Sequence, residues 1–197
     1  MAAEKPARRR RDPQRRIEEI AAATEKVIAE RGIEGLTHRA VAEEAGVPLG
    51  ATTYHFATKD DLITAALKRS VDRYAAYLDD WCAQRPGLTA DQLAVLLTDV
   101  LLSCLGPQRG QQVMEFELYL AALRRPALRP IADQYTELSI QTLAHYTDPV
   151  TATAAAAAAM NGLTLRGLAA SRPPARADIE AVLRRILTPH PVRVPHE

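Results

Sequence analysis

Between Thr37 and Lys59 the chain gathers side chains that can grip a polyanion. Arg39 can fork onto a phosphate or a guanine edge, Lys59 can neutralise a phosphate, and the hydroxyls of Thr37, Thr53 and Tyr54 can donate to backbone oxygens. This is chemistry of charge and hydrogen bonding, with no bond made or broken. Catalysis would need a nucleophile beside a base, paired carboxylates or a metal cluster, and the five histidines and two cysteines are scattered without such spacing. His38 and His55 stand 17 positions apart with a turn between them, a poor metal pair. Cys82 and Cys104 are 22 positions apart with no second Cys or His beside either, so they read as small core residues. No catalytic residue, metal ligand or cofactor is expected, and a small all-α enzyme is the weaker alternative.

The elements that position these groups follow from composition and periodicity. Of 197 residues 47% are hydrophobic and only 5% aromatic, and the abundance of Ala, Leu, Arg and Glu favours helix over sheet. An all-α fold of about nine helices is expected. Ile17, Ile20, Ala21, Thr24, Val27 and Ile28 recur at three- and four-residue spacing between Pro13 and Arg31, the mark of an amphipathic helix, and Gly32 ends it. Thr37 can cap a second helix carrying Ala40, Val41, Ala42 and Ala45 on its inner side. Gly46 suits a tight turn needing positive φ, and Pro48 suits the first turn of a short third helix. Thr58 with Asp61 forms a capping box before a long fourth helix from about Lys59 to Arg85. Five more helices are expected: Thr89, boxed with Gln92, opens one to Leu105, and others run from Gln108 to Leu123, Pro126 to Tyr146, Pro149 to Ala170 and Ala177 to Leu187.

Residues 36–62, LTHRAVAEEAGVPLGATTYHFATKDDL, thus hold two short helices joined by a glycine turn, the arrangement that places a recognition helix in the major groove. Their wording is more specific than their geometry. Val41-Ala42, Ala45-Gly46-Val47, Gly50, Tyr54-His55-Phe56, Lys59 and Leu62 resemble, in order and spacing, the DNA-binding signature of the TetR family of bacterial transcriptional repressors, over roughly residues 14–73. The resemblance implies DNA contacts from Thr37, His38 and Arg39, from Leu49, Gly50, Ala51, Thr53, Tyr54 and His55, and from Lys59. Val41, Ala45, Val47, Thr52 and Phe56 are assigned to the small core. Thr53 stands where many relatives carry Tyr, and Leu49, where some use a hydrogen-bonding side chain, offers apolar contact; both leave the operator sequence open.

The resemblance further implies a homodimer built through the last two helices, palindromic operator DNA as partner, and a small-molecule effector held among the middle helices. Ala154 to Ala159, with Gly162 and Gly167, makes a slim helix that a partner could approach closely. Trp81, Glu115, Tyr119 and Asn161 are the candidate effector contacts, being polar or aromatic groups that interrupt apolar stripes. The expected organisation is a basic arm over 1–13, a reading domain over 14–58, a helical sensor and dimerisation domain over 59–187, and a tail over 188–197. The arm owes its name to seven cations in residues 1–16 set against Glu4 and Asp12. The N-terminus lacks a signal peptide's apolar core and no apolar run reaches the roughly 18–20 residues of a membrane span, so a cytoplasmic protein is expected. A nucleoid-type protein that coats DNA without a sensor is the other alternative. It would show near-equal affinity for all sequences.

Overall fold

The computed structural model describes residues 12–147 and 150–188, the side chains of Val150 and Thr151 apart. Most of the basic arm and nearly all of the tail lie outside the described residues. The chain divides between Ala66 and Leu67 into two compact units.

In the first unit, α1 (Pro13–Arg31) starts at Asp12, whose carboxylate accepts the Gln14 N–H at 3.0 Å, and ends at Gly32. Helix α2 (His38–Ala45) is capped by Thr37, whose hydroxyl oxygen accepts the Ala40 N–H at 3.1 Å. Gly46 adopts the left-handed region at φ 62°, and the Val47 N–H returns to the Ala42 carbonyl at 3.0 Å. That pairing closes the helix end and turns the chain sharply. Helix α3 (Leu49–His55) follows, with Pro48 at its N-cap in extended backbone, one place ahead of the expected first turn. The start of α4 (Lys59–Ala83) is held by the capping box: the Thr58 N–H donates to Asp61 at 2.9 Å and the Asp61 N–H to the Thr58 hydroxyl at 3.1 Å. Ile20, Ile28, Val41, Thr52, Leu62 and Ile63 are fully buried, with Val47 and Phe56 nearly so. Ala45 is only half-buried.

The second unit comprises the rest of α4 with α5 (Ala90–Leu105), α6 (Arg109–Ala121), α7 (Arg129–Ala144), α8 (Val150–Ala169) and α9 (Arg176–Leu187). Helix α5 packs on α8 and α9, and α7 on α8. Their common core includes Trp81, Leu93, Leu101, Ala156, Ile179 and Leu183. The Thr89–Gln92 capping box is formed in both directions. Where one helix from Pro126 was expected, residues Pro126–Leu128 form a 3-10 turn before α7. Pro130 has no N–H to return to the Pro126 carbonyl, so the α-helical ladder cannot run through the pair.

Two core expectations change. Cys82 and Cys104 are free thiols and only half-buried: Cys82 packs against the core cluster from its edge, and Cys104 lines a cavity. The small residues of α8 do not form one partner face: at about 100° per residue they are dealt to both sides. Ala156 and Ala157 are buried, and a Cβ at Gly167 would lie 2.7 Å from Leu105 Cδ1 of the same chain. Ala154, Ala155, Ala158 and Gly162 remain exposed.

Candidate nucleic-acid interface and sensor cavities

The first unit presents α3 outward. Leu49 is 47% and Tyr54 84% exposed, values that no folding requirement explains for large apolar surfaces. Nothing lies within 4 Å of where a Cβ at Gly50 would stand, so the glycine is not demanded by packing within the chain. Ala51 is half-buried and Thr53 exposed, its hydroxyl donating only weakly, at 3.4 Å, to the Gly50 carbonyl. Tyr54 and His55 meet edge to face with ring centroids 5.0 Å apart. These two, Gly50 and Ala51 line a groove of about 490 Å³ together with Pro48, Asp12, Pro13 and Arg16. Arg16 was visible in the sequence only as one of the arm's cations. It belongs to α1, where it pairs with Glu19 at 3.0 Å.

At the start of α2, Arg39 is exposed, and Thr37 is both exposed and committed to its cap. His38 is half-buried, and its Nδ1 is enclosed without a hydrogen-bond partner. Lys59 is half-buried at the start of α4, where Asp60 and Asp61 occupy the first turn. The Thr58 N–H and hydroxyl, with a smaller contribution from His38, hold the Asp61 carboxyl below the usual aspartate range. Among the described residues no cluster of three or more metal-ligating side chains occurs, His38 and His55 included.

The second unit encloses three neighbouring cavities that share Tyr77 and Val100 in their walls. The first, about 90 Å³, is the most apolar; Trp81 and Asn161 line it with Tyr74, Leu78 and Met160. The second, about 200 Å³, has the charged side chains Glu115 and Arg73 in its wall beside Cys104 and Tyr135. The third, about 430 Å³, opens past Asp80, Arg85 and Asp99. Of the four candidate effector contacts, Trp81 and Asn161 are brought together, Glu115 lies in the adjoining chamber, and Tyr119 lines none of the three. Tyr119 is 36% exposed, with its hydroxyl 3.3 Å from Thr136 Oγ1.

The tyrosines of the walls went unmarked in the sequence. Tyr74 stacks on Tyr135 with centroids 4.5 Å apart and shares a 2.9 Å hydrogen bond with Ser139. Burial pushes the Tyr74 phenol up to about 12 and the Cys104 thiol up to about 11, so both are neutral across the physiological range. Burial also raises the Glu115 carboxyl, against the lowering effect of the Gln111 amide and of Arg73. Tyr74 and Tyr77, three residues apart on α4, were the signal that could have located this wall.

Comparison with known proteins places both units. Residues 20–66 match the model of bacterial regulatory proteins of the tetR family, and residues 88–189 match the tetracyclin repressor-like C-terminal domain. The HTH-type transcriptional regulator PksA of Bacillus subtilis is 33% identical over 110 residues, which are 56% of this chain and 51% of PksA. The chain therefore spans about half the length of that relative. Among solved structures, the multidrug binding protein EbrR complexed with ethidium is 42% identical, covering 88% of this chain and 99% of EbrR at a TM-score of 0.74. A TetR-family member from Streptomyces coelicolor A3 is 41% identical, covering 88% of this chain and 98% of its own at 0.72. Among the described residues no single helix is long and apolar enough to cross a membrane.

Proposed function

Because the chain belongs to the TetR family of bacterial transcriptional regulators, we propose that it is a repressor that grips a palindromic operator as a homodimer and is released by a small organic molecule. The observation that carries this reading is α3. Its outward residues Leu49, Gly50, Thr53 and Tyr54 are left unused by packing, while the Gly46 turn before it and the Thr58–Asp61 capping box after it fix the helix in place. Arg39, Thr37, His38, Ala51, His55 and Lys59 complete the proposed contact set, with phosphates and base edges as partners. The reading domain is residues 14–58, and the cations of the arm before it add affinity for phosphates whatever the base sequence.

One helix-turn-helix reads too few bases to find an operator, so a second copy is required. Its docking face is the exposed side of α8 and α9, where Ala154, Ala155, Ala158 and Gly162 permit close approach and Leu165 and Val182 are 45% and 41% exposed. The effector enters the cavities walled by Trp81, Asn161, Tyr74, Tyr77 and Glu115, as the drug complexes of EbrR suggest for a related chain. Helix α4 supplies cavity-wall residues and is continuous with the residues that follow the reading domain, so its displacement couples the two events. A tenfold to hundredfold release requires about 1.4–2.7 kcal/mol of preference for the released state.

Selection from a random DNA pool, followed by titration of the selected and scrambled duplexes, tests the reading. A preference for one palindrome of at least about a thousandfold is expected of a specific regulator. Near-equal affinity for every sequence would instead identify a coating protein.

A further inference from the structure

The groove beside α3 has a second wall that the helix-turn-helix does not supply. Helix α3 forms one side through Gly50, Ala51, Tyr54 and His55, and the start of α1 forms the other through Pro13 and Arg16. Proline and alanine offer apolar surface with no side-chain donor, whereas Arg16 offers a fork of N–H groups. An apolar floor beside a cation complements a sugar–phosphate strand, in which deoxyribose faces alternate with charged phosphates. Asp12 also lines the groove, and its carboxylate is turned to the Gln14 and Arg15 N–H groups as the cap of α1.

Two neighbouring arginines meet this site differently. Both bond Glu19, Arg16 through Nη1 at 3.0 Å and Arg15 through Nε at 2.9 Å, so the trio keeps a net positive charge. Arg16 lines the groove with its side chain 36% exposed, whereas Arg15 points away from it and is 69% exposed. Glu19 takes one arm of the Arg16 fork and leaves its other N–H donors for an acceptor outside the chain. A guanidinium already steadied by a carboxylate has less freedom to lose when it docks.

Resting on the reading that α3 docks on DNA, we propose that this groove receives the sugar–phosphate backbone of one strand and that Arg16 binds its phosphate. Arg16 is thereby set apart from the other cations near the N-terminus: it is a fixed contact, one per protomer, that sets where along the backbone α3 enters the duplex. Standing on α1, outside the helix that enters the major groove, it positions the protein and carries no base readout.

Arg16→Gln and Arg15→Gln remove the same charge from adjacent positions, so their comparison isolates the groove. On a duplex selected from a random pool, Arg16→Gln should flatten the slope of log K against log salt by about 1.8 for a dimer, at about 0.9 per phosphate contact, and Arg15→Gln by less than half as much. Single phosphates are then replaced by neutral methylphosphonates, one position per half-site at a time. One position should weaken the parent and Arg15→Gln at least about tenfold while leaving Arg16→Gln unchanged. Arg16→Lys should restore the slope, because the charge is kept, and only part of the affinity, because the fork is lost. Equal slopes for the two Gln variants, or no position at which the methylphosphonate effect disappears with Arg16, overturns the proposal. So does an altered base preference in Arg16→Gln, which would make Arg16 a reader of bases. The slopes are measured on a scrambled duplex as well. A chain that binds both duplexes equally while Arg16 alone governs the slope sinks the operator reading and leaves the backbone groove standing, and one that prefers the selected duplex but loses nothing with Arg16 sinks this proposal alone.

Discussion

Arg39→Ala separates a residue that reads DNA from one that holds the fold. Arg39 is exposed at the second position of α2, and among the described residues no ion pair engages it, so its removal should change unfolding free energy in urea by less than about 0.5 kcal/mol. Bound to an operator, a homodimer would lose one phosphate contact from each protomer. Each contact releases about 0.9 counterion, so the slope of log K against log salt should fall in magnitude by about 1.8. Over a fourfold rise in salt, from about 50 to about 200 mM, that difference compounds to roughly twelvefold: the variant's deficit at low salt shrinks by this factor at high salt. Fluorescence anisotropy on a labelled duplex at four or five salt concentrations reads the slope directly. Parallel lines, with affinity lost equally at every salt, would refute the phosphate assignment and point to a base contact. A large shift in the urea midpoint would show that Arg39 supports the fold instead.

Three further outcomes are expected. Thr37→Ala should cost about 1 kcal/mol in urea unfolding through loss of the Ala40 N–H acceptor, and Thr37→Ser should recover most of it. The Asp61 carboxyl is depressed by Thr58, so its contribution is complete above the ordinary aspartate pKa of about 3.9 and disappears as pH falls through and below that value; acid unfolding of Asp61→Asn should lack this part of the limb, and identical acid limbs would discount the box. The parent chain is expected to sediment as a dimer at equilibrium, and Leu165→Glu combined with Val182→Glu should leave a folded monomer; an unaltered dimer moves the interface elsewhere.

Local signals made the first unit readable almost residue by residue. The isoleucine stripe and Gly32 bound α1, Thr37 and Gly46 bound α2, and the reciprocal pair Thr58–Asp61 marks the start of α4. Each is a contact between residues a few positions apart, so the sequence spells it out. The cavities of the second unit depend on residues far apart, and there local spacing misleads. Glu115 and Tyr119 are one turn apart on α6, yet one lines a chamber and the other lies against Thr136 at the surface. The meeting of Tyr74 with Tyr135 depends on how α4 and α7 cross, which no spacing encodes. Helix α8 was opaque for a different reason: alanines alternate no polarity, so nothing in their order tells the inward side from the outward.

The seat of Leu105 at Gly167 ties two distant positions into one inherited choice. With 2.7 Å and 2.8 Å between the leucine methyls and any added Cβ, growth at position 167 obliges the leucine side chain at 105 to swing aside or to shorten. Descendants of this chain that cross from Gly to Ala there must displace the leucine methyls, and a shortening of the leucine removes that cost. In an alignment of relatives the two columns should therefore drift as a pair: a bulkier residue in one should be accompanied by a smaller one in the other, and the neighbouring open glycine at 162 should wander without any such companion within its own chain.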